Sequence, residues 1–304
     1  RKATLAQRYI DILKERFGDA VVSTHAHRGD ETAVVASEAW TGACRFLKDE
    51  HGFDMMVDLC GADYPTRKER FEVVIHLRRM QDGARLRLKS RLDSSDPRLD
   101  SITGLYPAAN WFEREAFDLF GIRFDGHPNL KRLLTHPSFD GHPLRKDYPI
   151  DRRCPIPVPE TLMDEMLPGG ETPDSRFTIH DSRMYLNLGP SHPAMHGCFR
   201  VLVELDGERI RRAVPEIGYL HRCFEKEAEN HGWHTVIPYT DRLNYCSPMM
   251  NSVGYCMAVE KLLGLEIPER ARWIRMLVCE VSRIWDHLVA NGANLVDIGA
   301  LTNF

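Results

Sequence analysis

Long apolar runs, paired cysteines and a surplus of either charge are all missing from this 304-residue chain. Forty Lys and Arg stand against 44 Asp and Glu, a net charge of −4, so no global field draws the chain to nucleic acid. No uncharged apolar stretch reaches the roughly 18 residues that a spanning helix needs. The best candidate is broken by Arg275, Glu280, Arg283 and Asp286. The eight cysteines, at 44, 60, 154, 198, 223, 246, 256 and 279, contain no Cys-x-x-Cys pair and no even spacing. That pattern speaks against a zinc site or a disulfide framework and predicts reduced cytosolic thiols, mostly in the core. No Gly-x-Gly-x-x-Gly turn follows a strand-like run, so the dinucleotide fingerprint is absent, and no repeat of solenoid period occurs. The chain opens Arg1-Lys2-Ala3 and runs straight into an amphipathic pattern without the order of a secretory signal; lacking an initiator methionine, it reads as a trimmed or incomplete start.

What is present is the composition of an ordinary soluble protein, 43% apolar and 28% charged, at a length that suggests two domains. Six of the 18 prolines fall between Pro149 and Pro173, beside Gly169-Gly170. Such a stretch neither continues a helix nor supplies ladder donors, and it reads as an extended linker. Before it, helix patterns at 5–17 and 37–48 alternate with strand-like runs at 33–35, 55–59, 71–77 and 86–92, a small α+β unit. The alternation Arg85-Leu86-Arg87-Leu88-Lys89 predicts a strand with one face toward water. After the linker, 184–188 and 199–205 read as strands, the second ending in an Asp206-Gly207 turn. Helices follow at 251–263 and from Pro268 to about Asn291, with proline in the first turn.

Four segments carry candidate chemistry. Residues 111–132 begin with a helix whose apolar face (112, 116, 119, 120) suits docking, whose Arg114 and Asp118 are spaced to pair, and which Gly121 stops. Its acids Glu113, Glu115 and Asp118 sit beside arginines among aromatics and read as structural or interfacial rather than catalytic. The segment Gly189-Pro190-Ser191-His192-Pro193-Ala194-Met195-His196-Gly197 puts two imidazoles in a tight loop. Histidine titrates near pH 6.5 and so suits proton chemistry there; a structural or weakly metal-binding pair is the other reading. The runs 218–226 and 238–246 each set Arg (222, 242) beside aromatics. Such an Arg can raise the electron affinity of a nearby redox centre, and a Tyr there either donates to a carbonyl or sits in the core with one satisfied hydroxyl. Asp297, amid Leu, Val, Ile and Gly, reads as a buried carboxylate in need of a partner.

Taken together, residues 111–132, Gly141-His142-Pro143-Leu144-Arg145-Lys146-Asp147-Tyr148-Pro149 and the stretch from 186 to 300 resemble the fused C and D subunits of bacterial respiratory complex I, the proton-pumping NADH:quinone oxidoreductase. The D-type motifs are Gly189-Pro190-Ser191-His192-Pro193 with His196-Gly197, Gly218-Tyr219-Leu220-His221-Arg222 with Glu225-Lys226, Tyr239-Thr240-Asp241-Arg242 with Tyr245, Val259-Glu260-Lys261-Leu262 and Asp297-Ile298-Gly299-Ala300. The resemblance implies an α+β chain: a C-type domain over 1–150, a proline-rich linker over 151–175 and, over 176–304, the N-terminal part of a mainly helical D-type domain akin to the large subunit of nickel-iron hydrogenases. D-type subunits continue well past Phe304, so this chain reads as the N-terminal part of a longer protein.

By resemblance, His196 and Tyr245 are the ligands of a quinone head group, Asp297 is the partner of His196, and His192 lies in the same loop. Arg222 matches the arginine beside the terminal iron-sulfur cluster, which is carried by a neighbouring B-type subunit. The chain itself is expected to hold no metal and no cluster, quinone being its substrate. Implied partners are the B-, I- and G-type subunits and the membrane subunit where quinone enters, on the cytoplasmic face of the bacterial inner membrane, with no nucleic acid. NADH is expected to bind a different subunit. The alternative is a hydrogenase-like or other metal-dependent enzyme using the His192/His196 loop with Asp297. At the place of the first hydrogenase Cys pair this chain has Tyr245 and Cys246 without a second thiol three residues away, which disfavours nickel.

Overall fold

Alternation of leucine with basic residues along Arg85–Leu92 builds the central strand of a five-stranded sheet, with every second side chain sealed. The computed structural model describes residues 5–27, 30–152, 154, 177–180, 183–192, 195, 197–300 and 302. They divide into two compact units, Arg1–Val158 and Pro159–Phe304. Most of the proline-rich stretch lies outside the described residues. No described helix is long and apolar enough to cross a membrane.

In the first unit, strands β1 (Val21–His27), β2 (Asp30–Val35), β3 (Met55–Asp63), β4 (Phe71–Arg78) and β5 (Arg85–Leu92) take the order β1-β2-β5-β4-β3. Only β2 and β5 run parallel; the other pairs are antiparallel. Helix α1 (Leu5–Phe17) buries Tyr9, Ile10 and Leu13, and α2 (Trp40–Asp49) buries Trp40, Ala43, Cys44 and Leu47, a spacing that puts four side chains on one stripe. They meet Phe71, Val73, Ile75 and Leu77 of β4 and Leu86 and Leu88 of β5 in one apolar core. The opposite sheet face, expected to meet water, is covered by its own charged side chains. Glu72 is buried there between Lys89 (2.7 Å), Arg67 (3.5 Å) and Arg91 (3.6 Å), the long basic stems supplying the cover.

Strand β6 (Arg98–Asp100) pairs in parallel with β7 (Arg123–Asp125) on either side of α3 (Ala109–Phe120). Gly121 ends α3 in the left-handed region, φ +75°, and its amide bonds back to Phe117. A Cβ at Gly121 would stand 2.6 Å from His142 Nε2 and closer still to Arg145, so no other residue fits. The helix expected to dock elsewhere is covered by its own unit: it packs on β3, where Gly61 leaves room for the Phe120 ring, and its Ala116 and Leu119 are buried while Trp111 is exposed.

Both buried acids of α3 are structural, as read from the sequence. Glu113 accepts the Ile102 amide (2.8 Å) and the Ser101 hydroxyl (2.7 Å). Asp118 does not organise the helix by pairing along it. Its Oδ2 takes the amides of Leu133 (3.0 Å), Leu134 (2.8 Å) and Thr135 (2.9 Å), and its Oδ1 takes Arg132 Nη1 (2.8 Å) and the Thr135 hydroxyl. Arg114 reaches the carbonyls of Lys131 and Arg132.

In the second unit, β8 (Phe177–His180), β9 (Arg183–Leu188), β10 (Arg200–Asp206) and β11 (Arg209–Glu216) form an antiparallel sheet in the order β11-β10-β9-β8. Then come α4 (Phe224–Glu229), the one-turn α5 (Ile237–Thr240), α6 (Pro248–Leu263) and α7 (Glu269–Asp297). Helix α7 starts behind Pro268 and runs six residues past the expected end. Arg275 grips Glu260 with both terminal nitrogens (2.8 and 2.6 Å), tying α7 to α6. The cysteines depart from expectation: Cys44 alone is buried, Cys60 is exposed and the other six are intermediate. Cys256 and Cys279 sit on α6 and α7, where Trp273, Leu277, Ile284 and Leu288 are also largely exposed, so apolar type does not translate into burial on these helices.

Two measurements check this account. Burial pushes the Asp118 carboxyl up, but the bonds from Thr135, Arg132 and the amides outweigh it and hold it below the usual carboxylate range. Its stabilisation is therefore present above the ordinary Asp range and lost as pH falls through its lowered value, below about pH 4. Asp118→Asn turns an NH2 toward donors and is expected to cost about 3 kcal/mol in urea unfolding at pH 7. Glu113 has the opposite sign: burial pushes it up to about 7 against the bonds from Ile102 and Ser101. The unfolded chain releases this proton first, so Glu113 destabilises the fold progressively from about pH 4.5 to 7, by about 3 kcal/mol at the top of that range. Glu113→Gln is expected to flatten the stability profile across that window.

Candidate functional site

The hairpin of β9 and β10 sets the geometry. Leu188 pairs with Val201, so the chain leaves and re-enters the sheet at adjacent points, and the loop between holds the histidine motif. At its root Gly189 has φ +95°, and a Cβ there would lie 2.5 Å from the Phe199 carbonyl oxygen and 2.9 Å from Met195 Cγ. Only glycine lets the two feet of the loop close on one another. Turns follow: His192 N donates to Pro190 O, Met195 N to His192 O and Cys198 N to Met195 O, each at 3.0 Å. His192 is exposed on this turn, and His196 lies outside the described residues.

Tyr245 comes from the turn between α5 and α6. Asn244 shapes that turn: its amide nitrogen donates to Ser247 Oγ (2.7 Å), and its carbonyl accepts from Ser247 N (3.1 Å) and from the Asn251 side chain (3.0 Å). Tyr245 is 50% exposed, which excludes the core-tyrosine reading. Its hydroxyl lies 3.2 Å from Cys198 Sγ, 47 positions away in sequence and two beyond His196. The bond to Cys198, with burial adding to it, raises the phenol above its ordinary value. Cys198 carried no local signal in the sequence; only the non-local contact reveals it.

The remaining candidates lie apart from this pair. Arg222 is exposed, its guanidinium carbon 6.0 Å from the centre of the Tyr239 ring, which in turn stacks on His231. Asp297 corrects the expectation of burial: it is exposed, at the last residue of α7, and its carboxylate makes no hydrogen bond or ion pair among the described residues. Its apolar neighbours in sequence do not cover it, because the side chains of adjacent helix residues point in different directions; Ile298 is itself largely exposed. An open depression of about 580 Å³ is lined by Phe224, Val236, Thr240, Leu243 and Tyr255 among others, but not by Tyr245. Among the described residues no three His, Cys, Asp or Glu side chains gather closely enough to hold a metal.

The chain is similar to several known proteins. The family model described as "Respiratory-chain NADH dehydrogenase, 30 Kd subunit" matches residues 33–153. A protein of Bdellovibrio bacteriovorus, named as the C/D subunit of NADH-quinone oxidoreductase, is 49% identical over 283 residues, 92% of this chain and 49% of the relative. One of the same name from Methylococcus capsulatus is 42% identical over 98% of this chain and 54% of its own length. The chain thus spans about half the length of the curated relatives it matches. A solved structure titled "Nqo5 of the trypsin-resistant fragment (1-134) in P63 form" is 34% identical and covers 40% of this chain and 99% of its own, with a TM-score of 0.37.

The loop root supplies its own test. Gly189→Ala places a methyl against the Phe199 carbonyl at a φ that side chains rarely adopt. It is expected to destabilise the hairpin by about 2 kcal/mol, read as faster limited proteolysis between 189 and 199.

Proposed function

The chain belongs to the C/D-subunit family of NADH-quinone oxidoreductases, and from that premise we propose that it forms a wall of the site where quinone is reduced, in a peripheral subunit of a respiratory, multi-subunit oxidoreductase. The observation that carries the reading is the 3.2 Å contact between Tyr245 and Cys198, which sets a half-exposed phenol against the root of the histidine loop.

Quinone reduction takes two electrons and two protons, and the two carbonyl oxygens lie on opposite sides of the ring. Two donors are therefore wanted. The Tyr245 hydroxyl meets one oxygen and the His196 imidazole the other, with His192 on the same loop. Asp297 orients His196 and favours its protonated form. Its position supports that role: the last turn of α7 contains no basic residue and no ion pair reaches Asp297 among the described residues, so the carboxylate stands at the negative end of the helix dipole, where an imidazolium would supply a countercharge. An iron-sulfur cluster held by a neighbouring B-type subunit would supply the electrons, and exposed Arg222 would raise that cluster's electron affinity.

The rest of the assignment follows from the same reading. Residues 1–150 are the C-type domain, 151–175 the linker and 176–304 the opening part of a hydrogenase-like D-type domain. The B-, I- and G-type subunits and the membrane subunit at the quinone entrance are the partners, and they hold the chain on the cytoplasmic face of the inner membrane. Tyr245→Phe keeps the ring and removes the hydroxyl. It is expected to lower quinone reductase turnover by about two orders of magnitude, the lower end of what a positioned proton donor contributes, while NADH oxidation by ferricyanide stays near its native rate. Native quinone turnover in that variant would refute the assignment.

A further inference from the structure

Cys198 stands where the histidine loop rejoins the sheet. It lies just ahead of β10, its amide is tied to Met195 O, and the Gly189–Phe199 closure lies beside it. Tyr245 is held from the other side by the Asn244 turn. Two anchored backbones thus present a thiol and a phenol to each other at 3.2 Å. A phenol hydrogen can lie in the ring plane on either side of the C–O bond, and a hydrogen-bond partner decides between the two orientations.

We propose that Cys198 is a positioning residue for Tyr245: once a quinone carbonyl is bound, the thiol donates to the phenol oxygen and holds the hydroxyl in the orientation that donates to that carbonyl. This rests on the quinone reading above. With no acceptor present, the hydroxyl donates to Sγ. When a carbonyl takes that donation, the thiol turns and donates S–H to the phenol oxygen, and a phenol that accepts one hydrogen bond donates a stronger one. No bond to sulfur forms and no electron passes through it, so the step is a reorientation of two hydrogens. The raised phenol fits the acceptor-free arrangement, in which the neutral form is the one hydrogen-bonded. Cys246, next to Tyr245 in sequence, does not hold this place; the hydrogen bond is to Cys198.

The test uses membranes containing the assembled oxidoreductase, with rates normalised to the amount of complex on native gels. Cys198→Ala is expected to raise the KM for a short-chain quinone about fivefold, the factor one neutral hydrogen bond commands, with kcat little changed. Cys198→Ser, which keeps a donor and acceptor, is expected to restore the native KM. In the Tyr245→Phe background, Cys198→Ala is expected to add nothing. Equal KM values for the Ala, Ser and native proteins, or an undiminished effect of Cys198→Ala in the Tyr245→Phe background, would overturn the proposal. A second readout needs no quinone: loss of the phenol donor in Tyr245→Phe is expected to slow capture of Cys198 by iodoacetamide several-fold, followed by mass spectrometry, and unchanged capture would overturn the contact. Native quinone kinetics in Tyr245→Phe together with slowed capture would overturn the quinone reading instead and leave the contact standing.

Discussion

A single buried carboxylate organises the segment that follows α3 in the first unit. Asp118 sits fully enclosed on α3 and would cost several kcal/mol if left unpaired; instead it is surrounded by five donors, three of them consecutive backbone amides. The residues after α3 therefore wrap around this anion. The same helix end orders a second segment through its main chain: the Asp118 carbonyl meets His142 Nδ1 at 2.8 Å and the Phe120 carbonyl accepts Arg145 Nε at 2.6 Å. The Lys146 amide then reaches Asp63 at the end of β3, which Arg70 links to Asp147. Two dense motifs well separated in sequence are thus one cap, with Gly121 at its centre because nothing larger fits beneath the histidine and the arginine.

The second unit is built on a different balance. Its sheet is a meander whose β9–β10 hairpin delivers the histidine loop, and its long helices are held by local hydrogen bonds and the Glu260–Arg275 clamp while leaving much apolar surface open. The chemistry proposed for it needs little from that apolar surface. It needs two turns, one closed on Gly189 and one on Asn244, stiff enough to present a sulfur and a phenol to each other.

Sequence periodicity was legible where one face of an element meets one core. The stripe of α2, the alternation of β5 and the glycine stop of α3 all follow from patterns of this kind. It was illegible where an element is an edge or is covered by its own charges. Strand β1 is an edge whose side chains are exposed or half-buried, so it shows no apolar alternation, and β11, rich in arginine, is exposed along most of its length. Asp297 and the cysteines misled for a related reason: residue type and sequence neighbours indicate burial only when something packs over them, and that is a tertiary fact. Of the candidate site, the residue types and the Tyr245 motif could be read from the chain, whereas the Tyr245–Cys198 contact bridges 47 positions with no local mark.

Cys44 differs from every other thiol in the chain. It lies on the inner stripe of α2 beneath the sheet, sealed from solvent, with burial pushing its thiol far above the range in which thiolate forms. A maleimide or a peroxide finds the other seven thiols at least partly open, but this one becomes reactive only when the core parts. Its labelling half-life under native conditions is thus a clock for the opening of the first unit, built into the chain without any added probe.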